Sequence, residues 1–131
     1  MTADMEPVGD PFTCTGERAA GQAARRIVRE RAAKVVGDAE RLDDIELMTA
    51  EAVANAVLHG SGLITVDVRT DRRLLRVEVH DEGPGSRDDR GTLRLDHGRG
   101  LVVIDALAAE WGLEQSAHGT YLWFTVDVPR M

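Results

Sequence analysis

The stretch Asp81-Glu82-Gly83-Pro84-Gly85 closes a run of alternating apolar and polar residues, a pattern typical of a β-strand that ends in a turn. Taken alone it indicates only a turn, because Asp and Gly are ordinary turn formers. Two further motifs flank it, Glu51-x-x-x-Asn55 upstream and Gly98-Arg99-Gly100-Leu101 downstream. Three motifs in this order are far more specific than any one of them.

The composition indicates one globular domain. The chain has 131 residues, of which 43% are hydrophobic, enough to build a core. Residues 1–10 are predicted to be a flexible N-terminal tail, with the domain over residues 11–131. The net charge of −7 and the scattered basic residues disfavour nucleic acid as a partner. The single cysteine, Cys14, excludes an internal disulfide and fits a cytoplasmic setting, and no apolar run approaches the roughly 18 residues of a membrane span.

Helical periodicity dominates the first half of the chain. A short edge strand over residues 11–15 is followed by small or apolar residues at helical spacing from Glu17 to Val36, with arginines on the other side. A second helix, capped by Asp43 or Asp44, is predicted to end at His59-Gly60. The second helix carries the first of the three motifs.

Strand-like alternation dominates the second half. It predicts a hairpin over residues 64–68 and 75–79, then a polar loop over residues 83–97. A helix is predicted over residues 101–111, followed by a second hairpin whose last strand covers residues 122–128. This order indicates an α+β fold, a two-layer sandwich with helices on one face of a mixed, mostly antiparallel sheet.

Glu51 and Asn55 lie four residues apart on the second helix, so both side chains project from one face. An Asn carbonyl oxygen suits a Mg2+ ion that keeps its waters and its phosphate ligands. A Glu one turn away could orient or deprotonate a hydroxyl that attacks a terminal phosphate. The alternative is the solvated stripe of an ordinary helix. Against that alternative, the surrounding sequence is apolar nearly all round the helix, where polar groups need partners.

The other two motifs complete a nucleotide pocket. An ionised Asp81 at a strand end can accept a hydrogen bond from an exocyclic amine such as that of adenine, although a plain acidic turn is an equally good interpretation. A glycine-rich turn that leads into a helix at Leu101 offers backbone amides to a phosphate, with Arg99 as an added charge, although a simple helix-entry turn is the default. Thr120 could offer a hydroxyl to the pocket or serve only the strand that it begins.

These residues resemble the GHKL (Bergerat-fold) ATPases, and within them the small single-domain anti-sigma-factor serine/threonine kinases of Gram-positive bacteria. The segment from Glu51 to Gly60 is similar to the N box of that family. Asp81 to Gly85 is similar to its first glycine box, and His97 to Leu101 to its second. Gly119-Thr120 is similar to its last nucleotide-contacting element, so the resemblance covers nearly the whole chain after the tail.

The resemblance implies the ligands and the roles of the site residues. ATP and Mg2+ would be bound, with Asn55 as the magnesium ligand and Asp81 as the residue that recognises adenine. Glu51 would be the catalytic base. The other pocket residues implied by the resemblance are Gly83, Gly85, Gly98, Arg99, Gly100, Leu101 and Thr120.

The implied activity is that of a protein kinase in transcription regulation. Such proteins bind a sigma factor and phosphorylate a serine on a small antagonist protein, and an exposed stripe on the first helix would suit a homodimer or a sigma-factor interface. The twelve residues from Ser86 to His97 are few for a lid over ATP, which favours a second hypothesis, a non-catalytic module that uses the same fold to hold a partner. A metabolic ATPase is a weaker third, because no residues suggest a small-substrate pocket.

Overall fold

Three helices and a six-stranded sheet form the described part of the chain. The computed structural model describes residues 5–15, 19–59, 62–82, 99–116 and 119–129. In these ranges no helix combines the length and the apolar character needed to cross a membrane. The elements are β1 (Glu6–Pro7), β2 (Phe12–Cys14), α1 (Ala20–Ala32), α2 (Ala39–His59), β3 (Ile64–Thr70), β4 (Leu74–Asp81), α3 (Arg99–Leu107), β5 (Glu110–Ser116) and β6 (Gly119–Asp127).

The sheet has the strand order β1-β3-β4-β6-β5, and β2 also pairs with β3. The two short N-terminal strands lie along opposite ends of β3, with Glu6 opposite Thr70 and Cys14 opposite Ile64. Every pairing that the structure describes is antiparallel. The predicted α+β sandwich, with helices on one face of the sheet, is therefore confirmed.

One apolar face of the sheet packs against the helices. Alternate residues of β4 are buried because successive side chains of a strand point to opposite faces. Helix α2 contacts α1, α3 and β4, so it is the central helix of the layer. The fully buried side chains of this core include Val28, Val36, Ile45, Met48, Val53, Ile64, Val66, Val68, Leu75, Ile104, Leu122 and Phe124.

The opposite face of the sheet carries a network of ionic and aromatic side chains. Arg76 forms an ion pair of 2.7 Å with Glu78 and a hydrogen bond with the hydroxyl of Tyr121. Its guanidinium lies 4.2 Å from the ring centroid of Trp123. His80 stacks on Tyr121 with a centroid distance of 4.5 Å. Side-chain packing thus continues on the face away from the helices.

The N-terminal segment differs from the predicted flexible tail at residues 5–8. Strand β1 pairs with β3, and the backbone amide of Val8 donates to the carbonyl of Val68 at 2.8 Å. Met5 and Val8 are both buried. Two apolar side chains in an otherwise polar segment are enough to attach it to the sheet edge, because the unpaired edge of β3 offers backbone partners.

The helix boundaries differ from the predicted ones. Helix α1 ends at Ala32 rather than Val36. Helix α2 begins at Ala39, where Oδ1 of Asp38 accepts the backbone amide of Glu40 at 3.1 Å, so the predicted cap at Asp43 or Asp44 was wrong. Asp43 lies inside the helix and pairs with Arg29 of α1 at 2.8 Å. An acidic residue five positions earlier takes the capping role.

The predicted third helix was too long. Helix α3 ends at Leu107, and Trp111 belongs to β5, where it lies opposite Phe124 of β6. Its indole nitrogen donates to Oδ1 of Asp105 at 2.8 Å, which links β5 to α3 across the short segment between them. Trp111 and Leu113, two residues apart, both pack against the core, which is the spacing of a strand. The helical pattern of the preceding residues obscured this signal in the sequence.

Candidate nucleotide-binding site

Helix α2 holds Glu51 and Asn55 on its less buried side. Its neighbours Ala52 and Val53 are fully buried, whereas Glu51 and Asn55 are half-exposed and Leu58, one turn further, is 66% exposed. The apolar sequence around Glu51 and Asn55 suggested a helix enclosed on all sides, but one side of α2 is exposed. Within the part of the chain that the structure describes, neither Glu51 nor Asn55 makes a side-chain hydrogen bond or ion pair. Both polar groups can accept a ligand without breaking an existing bond.

Asp81 is a buried carboxylate at the last position of β4. It is 7% exposed and lies opposite Ile64 of β3. The backbone amide of Thr120 donates to its Oδ1 at 3.2 Å. Because burying a charge is costly without such a partner, this bond is part of what keeps the carboxylate in place. The structure thus brings Asp81 and Thr120, two of the predicted site residues, into direct contact.

Gly119 makes this contact sterically feasible. Its φ of +144° lies in the region that favours glycine, and a Cβ atom at this position would overlap the carbonyl oxygen of Asp81. Any larger residue would push the start of β6 away from β4. The two residues therefore act together. Gly119 lets the start of β6 approach Asp81 closely, and the backbone amide of Thr120 binds the Asp81 carboxylate.

Glu82 and Gly62 form a second close contact beside Asp81, and no motif singled it out. The backbone amide of Leu63 donates to Oε1 of Glu82 at 3.1 Å. Gly62 has a φ of +77°, and a Cβ atom there would lie 2.8 Å from Cβ of Glu82. The sequence signal was weak: a Glu between two recognised motif positions and a Gly two residues before a strand.

The third motif is only partly covered by the described residues. Arg99 and Gly100 are the first two residues of α3, so the helix begins two residues before Leu101, the start that the sequence predicted. Leu101 is buried in the core, so its side chain anchors the helix. The predicted pocket residues Gly83, Gly85 and Gly98 lie outside the described residues.

The donors present fit a magnesium ion that is held mainly by its nucleotide. In the described ranges, no group of three or more His, Cys, Asp and Glu side chains could hold a metal ion. Asn55 offers a neutral amide oxygen that is half-exposed and makes no hydrogen bond within the described residues. Mg2+ commonly takes one or two protein oxygens and completes its shell with waters and phosphates. A site with one amide ligand therefore suits a magnesium–nucleotide complex better than a free metal ion.

The architecture defines the class of protein: a two-layer Bergerat sandwich with its helices on one face of an antiparallel sheet. More particularly, the chain belongs to the histidine kinase-like ATPase domain family, whose model matches residues 15–126. The family resemblance expected from the three sequence motifs is confirmed. The match includes Glu51, Asn55, Asp81 and Thr120.

Similar proteins include three named anti-sigma F factors. The chain is 35% identical over 106 residues to those of Thermoanaerobacter sp. and Thermoanaerobacter pseudethanolicus, over 71% of this chain and 74% of each relative. It is 36% identical over 66 residues to that of Clostridium acetobutylicum, over 47% of this chain and 46% of the relative, so the match spans less than half of that protein.

A solved structure supports the fold independently. A crystal structure of RsbU and RsbW domains of a Mycobacterium tuberculosis protein superposes with a TM-score of 0.67 and 23% identity. The match covers 94% of this chain and 34% of the other. The similarity therefore concerns one domain of a larger protein.

Proposed function

We propose that this protein is an ATP-binding anti-sigma factor and a protein serine kinase that phosphorylates a small antagonist of its own binding to a sigma factor. The observation that carries the proposal is Asp81, a buried carboxylate fixed by the amide of Thr120 in a histidine kinase-like ATPase fold. Its similarity to anti-sigma F factors supports the choice of partner. The cytoplasm, where ATP is available, is the expected setting.

Each site residue has a chemical role in this proposal. Asp81 accepts a hydrogen bond from the adenine amino group, which selects adenine over guanine because guanine presents an acceptor at that edge. The amide oxygen of Asn55 would coordinate Mg2+, which would supply positive charge to offset the phosphates. The first turn of α3, which begins at Arg99, presents backbone amides to the phosphates.

Glu51 acts as the base in the transfer step. Its carboxylate accepts the proton of the substrate serine hydroxyl as the serine oxygen forms a bond to the terminal phosphorus. The bond from that phosphorus to the bridging oxygen breaks at the same time, and ADP leaves with the electron pair. Glu51 lies one helical turn from Asn55, which suits a base that works beside the magnesium–phosphate group.

Two measurements test the proposal. Calorimetric titration with ATP and Mg2+ should give saturable binding that Asp81→Asn abolishes. Glu51→Gln should then retain ATP binding while losing phosphotransfer to the antagonist. Absence of ATP binding at millimolar concentration would refute both the kinase and the nucleotide-dependent anti-sigma factor.

A non-catalytic partner-binding module is the second candidate. The short Ser86–His97 segment favours it, because a small lid would leave phosphates less enclosed. The presence of both Glu51 and Asn55 opposes it, since a scaffold needs neither. Nucleotide binding without phosphotransfer to any antagonist would favour this module.

The sheet face away from the helices favours a homodimer within the same proposal. It carries Tyr121, Trp123 and Arg76, the residue types that are enriched at protein interfaces. Sedimentation equilibrium of the protein and of Trp123→Glu tests this. A dimer that the substitution dissociates supports the face as the interface, and a monomer at all concentrations removes the proposed dimer.

A further inference from the structure

The β3–β4 ladder ends beside the candidate adenine site in an unusual way. Its last backbone pair is Ile64 with Asp81. One residue further, the side chain of Glu82 takes over, because its Oε1 accepts the amide of Leu63 at 3.1 Å. The hairpin is thus extended by one side-chain bond past the last strand pair.

Gly62 fits tightly against the same carboxylate. Its φ of +77° lies in the left-handed region that residues other than glycine rarely adopt, and a Cβ atom there would lie 2.8 Å from Cβ of Glu82 and even closer to its Oε1. Only a residue without a side chain leaves room for Glu82 to reach the amide of Leu63. The contact therefore depends on a matched pair of residues that are distant in sequence.

The position of this contact connects two parts of the site. Leu63 follows the end of α2 at His59 by four residues, and α2 carries Glu51 and Asn55. Glu82 follows Asp81 directly. The bond between Leu63 and Glu82 therefore joins the chain that leaves the helix of the proposed magnesium ligand to the strand end of the proposed adenine ligand.

We infer that Glu82 is a positioning residue for nucleotide binding: its carboxylate holds the end of β4 against the segment after α2 and so fixes Asp81 relative to Asn55. This inference rests on the proposed function, because it assigns Glu82 to the ATP pocket. The amide of Thr120 fixes the carboxylate of Asp81 from the β6 side. Glu82 fixes the same strand end from the β3 side.

The opposite end of the same hairpin supplies a matched control. There Oδ1 of Asp71 accepts the backbone amides of Arg73 and Leu74, each at 2.9 Å. Asp71 is thus also a carboxylate that stabilises an end of β3 and β4 through backbone amides, but it lies at the far end of both strands from Asp81. If Glu82 were only a hairpin clamp, Glu82→Ala and Asp71→Ala would leave ATP affinity equally unchanged.

The experiment compares calorimetric ATP–Mg2+ affinity with urea unfolding for the unmutated protein, Glu82→Ala, Glu82→Gln and Asp71→Ala. We expect Glu82→Ala to weaken ATP binding about tenfold, the loss typical of one hydrogen bond to a charged acceptor. Glu82→Gln keeps an acceptor oxygen and should stay within about threefold of the unmutated affinity, and Asp71→Ala within about twofold.

The outcomes separate the inference from the proposed function. If the unmutated protein binds ATP and Glu82→Ala binds it equally well, the positioning role is wrong and the proposed function stands. If the unmutated protein does not bind ATP, both fall. Should Glu82→Ala fail to fold, Glu82→Asp provides the same comparison, because its side chain keeps the charge but is one methylene shorter, which draws the carboxylate away from the amide of Leu63.

Discussion

The amide nitrogen of Thr120 lies 3.2 Å from Oδ1 of Asp81, so neighbouring strands β4 and β6 meet at a buried carboxylate. The last backbone pair between these strands is His80 with Tyr121. Beyond it the side chain of Asp81 continues the connection. The candidate site thus lies where regular pairing ends, and the backbone amide of the adjacent strand binds its key acceptor, Oδ1 of Asp81.

Gly119→Ala should destabilise the protein by at least about 2 kcal/mol, because the new methyl group overlaps the Asp81 carbonyl and the backbone conformation at this position is unfavourable for alanine. Urea unfolding measures the loss. Gly37→Ala is the control, since a Cβ atom there meets nothing within 4 Å. A Gly119→Ala protein as stable as the control would contradict the close approach of β6 to β4.

Asp38→Ala should cost about 1 kcal/mol of unfolding free energy, because it removes the side-chain acceptor for the amide of Glu40 at the start of α2. Asp43→Ala should cost less than Asp38→Ala, since its ion pair with Arg29 is largely exposed and solvent screens it. Thermal and urea unfolding of the two variants test the order. A larger loss in Asp43→Ala would restore Asp43 as the more important residue at this end of the helix.

The fold class and the positions of the central elements could be predicted from the sequence, because the core stripe of α2 and the alternation in β3 and β4 are strong periodic signals. The first strand of the final hairpin, β5, was predicted without bounds, and its start was misplaced because Trp111 was assigned to the preceding helix. The Glu82–Leu63 bond could not be predicted, since a side chain that meets a distant backbone amide leaves no period in the sequence. Asp81 and Thr120 were predicted separately, and only the fold shows their contact.

Glu78 should give the protein a stability that is lost in acid. The His80 imidazole, whose Nε2 lies 3.6 Å from Oε1 of Glu78, and the Arg76 guanidinium lower the pKa of Glu78 from 4.5 to about 2. A lowered folded-state pKa stabilises the protein above the unfolded pKa, and this contribution disappears as the pH falls from about 4.5 towards 2. We expect a contribution of about 1 to 2 kcal/mol, discounted because the network is partly exposed.

The difference between the unmutated protein and Glu78→Gln isolates this contribution from other carboxylates. Urea unfolding of both proteins from pH 6 to pH 2 should show the unmutated protein losing its advantage in the acid half of the range. Parallel stability curves for the two proteins would mean that the ion pair with Arg76 contributes nothing in solution.

Gly112→Ala should disturb the face of the sheet away from the helices. A Cβ atom at Gly112 would lie 2.7 Å from the indole nitrogen of Trp123, whose ring faces the guanidinium of Arg76. The ring must move, at a cost of about 1 to 3 kcal/mol. In an NMR spectrum with two indole N–H signals, the signal of Trp123 should shift while that of Trp111, on the core side, stays in place. Movement of both signals would indicate a general rearrangement instead.

The two ends of the proposed nucleotide should depend on different residues. Asp81→Asn replaces one acceptor oxygen by a donor, so it should remove binding of both ATP and adenosine. Asn55→Ala should weaken ATP binding in the presence of Mg2+ by about tenfold but leave adenosine binding unchanged, because the proposed metal contacts only the phosphates. For each protein, calorimetry measures four affinities: those for ATP and for adenosine, each with and without Mg2+. Equal losses of adenosine affinity in the two variants would mean that Asn55 supports the base pocket itself, and the magnesium role would then have to be abandoned.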